Sequence, residues 1–420
     1  SALSSSLWIL VTYLFVTRVT DRRVGLTAAL VIATAAGLTV ITRAATADAL
    51  LNLWLACAGY AAWLWLRERR QGWLYAAWLA MALGFLTKGP VAIVIPAGAV
   101  FLWCLSQGNW RTFLRFAFSP GPLTLFLAVA APWFVILTLR EGPGFLTSFF
   151  LKHNLGRFDT PMEGHGGNYF YYVPVVLLSL LPHTGLLLAA VGRLKSVWRN
   201  ELLRYGLLWF LLAFTLFSFS GTKLPHYVYY GYGGLVIVLA AMVDMPVRRW
   251  LVLAPAPLLF VLLLALPDLA AHAVSSLKGD DQLLLTALPS AFGMAYWLWC
   301  GGALLISLVL LGTRHIGLAA SLRISGLLAG IAMAIFLIPI VGQIQQAPVR
   351  NAGLLAQSLP GPLVLLGTDT PSFQTYANRQ VEKRPPRSGD LVLTRQSDLA
   401  HLPGATIVYR ERGYILARMP

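Results

Sequence analysis

Long apolar runs separated by short polar segments fill most of this chain. Windows of about 20 apolar residues, the length that lets a helix cross a bilayer, can be placed twelve times, each ending at charged residues or at Pro and Gly. The pattern predicts an all-α polytopic membrane protein. The predicted spans are 1–17, 24–42, 49–66, 72–87, 90–105, 119–139, 169–191, 203–220, 227–243, 250–267, 291–311 and 316–340.

Composition supports this class of protein. Hydrophobic residues make up 58% of the 420 residues and charged residues 11%, against about 25% charged in a typical soluble domain. A water-soluble enzyme, a coiled coil, a disulfide-stapled secreted scaffold and a disordered tail are excluded. Cys57, Cys104 and Cys300 all lie inside apolar runs, so we interpret them as packing residues.

The net charge of +16 is mostly a topology signal. Of the 32 Lys and Arg residues, 16 fall in one set of alternate loops, 7 in the opposite set, and 9 in the tail after residue 340. The first set is cytoplasmic by the positive-inside rule, so the excess does not indicate nucleic acid as a partner. The other loops and the tail are then periplasmic.

The start of the chain points to a missing N-terminal part. Twelve spans place Ser1 outside, yet the sequence opens without Met and without a basic residue ahead of its first apolar run. An exterior N-terminus with no signal peptide needs a preceding span. We therefore expect an N-terminally truncated chain.

The tail differs in composition from the membrane region. We predict a transmembrane region over 1–342 and a small periplasmic α/β domain over 343–420. LVLT and the hairpin-like TIVYR-ERG-YILAR are typical of strands, TPSFQTYA of a helix after a capping Thr, and EKRPPRSG of a linker.

A lone acidic residue opens the third predicted span. In ITRAATADALLN, Arg43 and Asp48 lie five positions apart at the predicted membrane edge. Asp48 could cap the helix that follows, with its carboxylate on the free N–H groups. Alternatively, it binds a cationic or hydroxylic group or serves as a base.

Two lysines lie at predicted exterior breaks that contain Gly and Pro. Lys88 in FLTKGPVA is either a snorkelling lysine at a span end or a cation waiting for an anion. Lys223 in SGTKLPHYVYYGY lies close to His226 and Tyr227.

The predicted exterior loop 141–172 concentrates polar residues beside aromatic ones. Most of the aromatics fit an interface belt, whereas the polar residues do not. The two histidines are twelve positions apart, a spacing that does not favour a metal site. Four cations, Lys88, Lys152, Arg157 and Lys223, thus share one face and suggest binding of an anion such as a lipid phosphate. The further candidates in this loop are His153, Asn154, Asp159 and His165.

Four strings in this order, TADALL, FLTKGPVA, HNLGRFDT followed by HGG, and SGTKLPHYV, resemble the aminoarabinose transferases of lipid A and their relatives. This family belongs to the protein O-mannosyltransferase-like branch of the GT-C glycosyltransferases. The resemblance covers about residues 1–340. It implies about thirteen transmembrane helices, of which about twelve are present here, and an active site on the periplasmic side.

The resemblance also implies the chemistry. The donor would be a sugar on undecaprenyl phosphate, transferred with inversion while a carboxylate deprotonates the acceptor hydroxyl and cations stabilise the departing phosphate. No cofactor is required, and a divalent metal is not favoured. The family's usual base lies in a first exterior loop that would precede Ser1. Asp48 matches its second acidic position and is the candidate acid/base partner or sugar contact.

From these residues we predict a glycosyltransferase of the bacterial inner membrane. Its partners would be the lipid-linked donor, membrane lipids, and lipid A, a glycan or a protein as acceptor. Carrier phosphate would bind Lys88, Arg157 and Lys223, and His153, His165, His226 and Tyr227 would line the site. The alternatives are a twelve-span transporter, expected to show two related halves and ionisable groups at mid-membrane, and a polyprenyl-linked glycan polymerase or ligase, expected to have one very large periplasmic loop.

Overall fold

The computed structural model describes residues 1–44, 46–144, 147, 156 and 166–420. These residues form two compact units. The first comprises Ser1–Leu259 with Leu305–Gly330, and the second Phe260–Leu304 with Ile331–Pro420. The predicted boundary after residue 342 falls inside a continuous helix, Ile338–Gln357, and stays a prediction.

The first unit is helical throughout the described residues, with short 3₁₀ helices at Pro225–Gly231 and Met242–Asp244. Its α-helices up to residue 253 are α1 (Ala2–Val19), α2 (Arg22–Thr34), α3 (Ala36–Ile41), α4 (Asp48–Glu68), α5 (Gln71–Lys88), α6 (Val91–Ser106), α7 (Trp110–Ala117), α8 (Pro120–Glu141), α9 (Tyr172–Ser179), α10 (Thr184–Gly192), α11 (Leu194–Arg199), α12 (Glu201–Ser218), α13 (Tyr232–Ala241) and α14 (Arg249–Leu253).

The remaining elements follow in chain order. They are α15 (Pro255–Ser276), α16 (Gly279–Leu285), α17 (Met294–Gly312), α18 (Leu318–Ile331), α19 (Ile338–Gln357), β1 (Leu363–Leu365), α20 (Pro371–Ala377), β2 (Val381–Glu382), β3 (Leu391–Arg395), β4 (Thr406–Glu411) and β5 (Tyr414–Arg418). A π-helical stretch, Ala332–Leu337, joins α18 to α19.

The protein is a multi-pass membrane protein, but the number of spans differs from the prediction. Within the described residues, eight helices are long and apolar enough to cross a membrane, or nine if α9 and α10, bent by 117°, form one span. All twelve predicted runs contain helix. Three predicted runs account for the shortfall. The run 24–42 breaks at the extended residue Ala35, and α6 has only 16 residues, about 24 Å against a hydrocarbon core of about 30 Å. The run 72–87 forms α5, which is 18 residues long but is not among the helices apolar enough to cross a membrane.

A buried aromatic core holds the first unit together around Trp209 of α12. The Trp209 indole is fully buried and lies against Gly59 and Gly233, where an added Cβ would come within 2.3 Å and 2.8 Å of the ring. Its Nε1–H donates to the backbone oxygen of Tyr230 at 3.0 Å. Glycine at positions 59 and 233 therefore lets the helices approach the Trp209 ring closely. The indole hydrogen bond holds the 3₁₀ segment that follows Lys223.

His183, at the bend between α9 and α10, is a packed histidine. Its side chain is fully buried, and Nε2 lies 2.8 Å from Oγ1 of Thr34. Because the Thr34 hydroxyl donates to the Leu30 carbonyl at 2.7 Å, it accepts from the histidine. His183 thus joins α2 to the bend.

A five-stranded sheet with strand order β2-β1-β3-β5-β4 forms the centre of the second unit. β1 pairs in parallel with β2 and β3, whereas β5 pairs antiparallel with β3 and β4. One face packs against α19 and α20 through Leu363, Leu391, Leu393 and Leu416. The predicted β-hairpin, the LVLT strand and the helix in TPSFQTYA are therefore confirmed.

Candidate active site

Asp48 is the first residue of α4 and turns its side chain inward. The residue at the N-cap position is Ala47, which makes no side-chain cap. The Asp48 carboxylate is 3% exposed, and Oδ1 accepts hydrogen bonds from Lys88 at 2.5 Å and Tyr230 at 2.6 Å. The sequence left open whether Asp48 caps the helix or binds a cationic or hydroxylic group. In the structure its carboxylate contacts an ammonium and a phenol.

Lys88 reaches Asp48 from the end of α5. The helix ends there because Gly89 takes the left-handed φ of +77°, which glycine adopts without strain, and Pro90 starts α6. The ammonium also donates to the Tyr230 hydroxyl at 3.0 Å and lies 5.4 Å from the centre of the Tyr227 ring. The Lys88 side chain keeps 27% of its surface exposed. Lys88 therefore combines an internal anchor with an accessible face.

The 3₁₀ helix Pro225–Gly231 supplies further side chains that contact Asp48 and Lys88. A 3₁₀ helix repeats every three residues, so Tyr227 and Tyr230 lie on the same side of it. His226 Nε2 is 3.5 Å from Asp48 Oδ1, and its ring packs edge-on against Tyr227. Asp48, Lys88, His226, Tyr227 and Tyr230 thus form one cluster, called here the Asp48 cluster.

Lys223 occupies a second, neighbouring position on the same segment. Its Nζ donates to the backbone oxygens of Ser218 at 2.9 Å and Ser220 at 2.5 Å, and it lies 6.0 Å from the Tyr169 ring centre. The residue is 4% exposed, and this burial lowers the pKa of its ammonium. An arriving anion would compensate for the hydration that Lys223 has lost.

Among the described residues, the predicted site residue Arg43 does not join these contacts. The exposed Arg43 side chain donates to the Thr39 backbone oxygen at 3.3 Å, so it stays with its own helix end. The remaining six, Lys152, His153, Asn154, Arg157, Asp159 and His165, lie outside the described residues.

The sequence analysis left Tyr230 out of its predicted site residues. Tyr227, Tyr229 and Tyr230 are adjacent tyrosines of one motif, and only the helix type separates them. Tyr229 packs against Tyr232, whereas the Tyr230 hydroxyl donates to Asp48. Three-residue spacing from Tyr227 was the available signal for Tyr230.

The described residues contain no group of three or more His, Cys, Asp or Glu side chains placed to hold a metal ion. The predicted independence from metals stays a prediction, since His153 and His165 are not among those residues.

Contacts within the protein hold the Lys88 ammonium in position. Lys88 is held from one side by a carboxylate and a phenol, so its remaining N–H is directed by an already formed network. A fixed ammonium stabilises developing phosphate charge because no reorganisation is needed during the reaction.

Comparison with known proteins connects this geometry to a family. A family model described as dolichyl-phosphate-mannose-protein mannosyltransferase matches residues 1–136. The undecaprenyl phosphate-alpha-4-amino-4-deoxy-L-arabinose arabinosyl transferase of Edwardsiella ictaluri is 31% identical over 209 residues, 48% of this chain and 37% of that protein. Transferase 2 of the same description from Sodalis glossinidius is 34% identical over 251 residues, 57% of this chain and 44% of that protein.

The fold matches a solved structure along nearly the whole chain. ArnT from Cupriavidus metallidurans, crystallised bound to undecaprenyl phosphate, superimposes with a TM-score of 0.81 and 19% identity, covering 99% of this chain and 82% of ArnT. Its apo structure gives the same values. The chain therefore shares the fold of ArnT and resembles the aminoarabinose transferases in sequence. The matched part spans well under half the length of the first curated relatives.

The sequence matches confirm the resemblance carried by the four sequence strings, and the ArnT match confirms the GT-C fold class. TADALL contains Asp48, FLTKGPVA contains Lys88, and SGTKLPHYV contains Lys223, His226 and Tyr227. Three of the four motifs thus supply Lys223 and every member of the Asp48 cluster except Tyr230. The fourth, HNLGRFDT, lies outside the described residues except for Gly156.

Proposed function

We propose that this protein is a glycosyltransferase of the bacterial inner membrane. It transfers a sugar from undecaprenyl phosphate to lipid A or another periplasmic-side acceptor, with inversion at the anomeric carbon. The proposal rests on the Asp48 cluster, in which a buried carboxylate and a buried phenol position a partly exposed ammonium. The curated relatives, named for undecaprenyl phosphate-aminoarabinose, support the donor class.

In this proposal the two lysines bind the phosphate of the donor. The acceptor oxygen attacks the anomeric carbon, the bond from that carbon to the phosphate oxygen breaks, and polyprenyl phosphate leaves with the bonding electrons. Lys88 and Lys223 stabilise the negative charge that grows on the phosphate. The acceptor hydroxyl loses its proton to a carboxylate, as in the family mechanism.

Asp48 orients Lys88 within this proposal. Its Oδ1 is shared between Lys88 and Tyr230, so the carboxylate fixes the position of the ammonium. A carboxylate paired in this way is a weaker base than an isolated buried one, because its partner stabilises the charged form. The acid or base role predicted for Asp48 stays a prediction.

The periplasmic side of the site is part of the proposal. Its support is the unequal distribution of Lys and Arg between the two sets of loops, together with Lys88 and Lys223 lying in the poorer set.

A transfer assay tests the function. The purified full chain is incubated with undecaprenyl phosphate-linked aminoarabinose and lipid A, and transfer is followed by mass spectrometry of the acceptor. We expect transfer by the unaltered chain and a strong loss in Lys223→Ala and Asp48→Asn. Unchanged turnover in both variants would overturn the site assignment, and transfer with neither this donor nor another polyprenyl-phosphate sugar would overturn the function.

A further inference from the structure

A second charged cavity lies at the opposite end of α4 from Asp48. It has a volume of about 410 Å³, within the range of roughly 300–1,000 Å³ usual for ligand sites. Since α4 has 21 residues, its two ends are about 30 Å apart. The lining is Arg18, Val19, Trp63, Leu64, Arg67, Glu68, Asn200, Glu201 and Leu202.

Charges of both signs alternate around this cavity, called here the Arg67 cavity. Arg18 Nη2 lies 2.7 Å from Glu68 Oε1, and Arg67 pairs with Glu201. The Trp73 indole also donates to Glu68 at 3.0 Å. Two guanidinium groups and two carboxylates therefore converge at the ends of α1, α4 and α12.

These ion pairs are accessible, unlike the pair in the Asp48 cluster. The side chains of Arg18 and Arg67 are 48% and 53% exposed, and that of Glu201 is 45% exposed. Exposed ion pairs contribute little to folding stability and can be exchanged for other partners. These four charged groups are therefore available to bind a ligand.

Indole rings pack against the guanidinium groups of both arginines. The Arg18 guanidinium lies 5.3 Å from the Trp73 ring centre, and that of Arg67 lies 5.8 Å from the Trp63 ring centre. Tryptophan is enriched at the depth of lipid headgroups. A guanidinium stacked on a ring keeps its in-plane N–H groups for phosphate oxygens.

The charge pattern selects among lipid headgroups. A phosphate fits the guanidinium groups, and a primary ammonium fits the carboxylates as a hydrogen-bond donor. A headgroup with only negative charge would leave the two carboxylates repelling it, and a quaternary ammonium would offer them no N–H. The match is with a zwitterionic headgroup that carries a primary amine.

We propose that the Arg67 cavity binds the headgroup of an aminophospholipid of the phosphatidylethanolamine type. Arg18 and Arg67 hold its phosphate, and Glu68 and Glu201 hold its ammonium. The inference is independent of the transfer reaction, since it concerns another end of the helices and is read out by lipid binding.

The test measures lipid retention by the purified full chain in detergent, using native mass spectrometry. Phosphatidylethanolamine, phosphatidylcholine and phosphatidylglycerol with identical acyl chains are offered separately. We expect phosphatidylethanolamine to be retained most strongly, and Arg67→Gln to weaken its retention roughly tenfold, as expected for the loss of one charge-assisted contact. Arg115→Gln, which removes an exposed arginine outside the cavity, should leave retention unchanged.

Two further variants separate binding from folding. Glu68→Gln should abolish the preference over phosphatidylglycerol while keeping phosphate binding. The double variant R67E/E201R keeps the ion pair with its charges exchanged, so it should keep its melting temperature and lose the lipid. Equal retention of the three lipids by the unaltered chain, preference for phosphatidylglycerol, or an equal loss in Arg115→Gln would each overturn the proposal.

Discussion

Each of the two units contains a buried aspartate paired with a cation, and the two pairs are built differently. Asp390, 2% exposed, uses both oxygens: Arg384 donates to Oδ2 at 2.5 Å and Oδ1 at 3.0 Å, and the Arg387 backbone N–H donates to Oδ2 at 2.7 Å. In the described part of the chain, every hydrogen bond and ion pair of the Asp48 carboxylate ends on Oδ1.

The difference separates a structural pair from one suited to function. The bidentate contact of Arg384 closes a turn before β3 and satisfies its carboxylate on both sides. In the Asp48 cluster one oxygen gathers several donors, and the cation itself keeps an exposed face. Burial of a charge pair alone therefore does not identify a site; the distribution of contacts over the carboxylate and the access to the cation do.

The largest expected effect that would test this contrast is the loss of Lys88, the proposed phosphate contact. In Lys88→Ala we expect transfer to fall by a factor of about 10²–10³, the size of losing one preorganised group that stabilises the departing charge. Steady-state rates with the lipid-linked donor measure this. Lys195→Ala, which removes an exposed lysine of α11, is the matched control. Similar rates in both variants would remove Lys88 from the reaction.

A smaller effect is expected from the phenol that shares Asp48 with Lys88. Tyr230→Phe removes a hydroxyl that donates to a buried carboxylate, a contact worth roughly 1.5–3 kcal/mol, and should lower kcat by about tenfold or more. Tyr229→Phe, an adjacent ring pointing elsewhere, should retain activity. If the KM for the donor rises while kcat stays constant in Tyr230→Phe, the phenol acts in binding and not in orienting Lys88 for the reaction.

Loss of the Arg384–Asp390 pair should lower the stability of the protein and leave its turnover unchanged. Arg384→Gln leaves the buried Asp390 without its bidentate partner, so we expect the melting temperature of the full chain to decrease while transfer per folded molecule is unchanged. Lys383→Gln is the control, because its pair with Asp369 has both side chains 74% exposed and contributes little. Loss of turnover in folded Arg384→Gln would break the distinction between the two pairs.

The smallest expected effect is a loss of stability at low pH. Hydrogen bonds from Arg384 lower the pKa of the Asp390 carboxyl in the folded protein. A lowered pKa contributes stability above the unfolded value of about 3.9, and this contribution is lost as the pH falls towards the folded value. The stability advantage of the unaltered chain over Asp390→Asn, measured by denaturant titration, should therefore shrink as the pH is lowered from 6 to 3. A constant advantage would contradict the assignment.

The sequence could predict the helices because twenty apolar residues have few alternatives to a membrane helix. It could not foresee that the run 24–42 breaks at Ala35, since no Gly or Pro marks that position. Charge counts and motifs identified Asp48, Lys88 and Lys223 individually. Their contacts depend on which helix ends meet, which is tertiary information. For that reason Tyr230 was left out of the predicted set, and Arg43 was included although its side chain bonds to its own helix end.

The 3₁₀ segment Pro225–Gly231 has a consequence for how this protein can vary over evolution. Each residue of such a helix turns the chain by about 120°, so one inserted or deleted residue between Tyr227 and Tyr230 would rotate the second phenol away from Asp48. Point substitutions in this stretch change one contact at a time, whereas a change in length disconnects the segment from both α4 and α5. The length of the segment is therefore constrained more strictly than the identity of most of its residues.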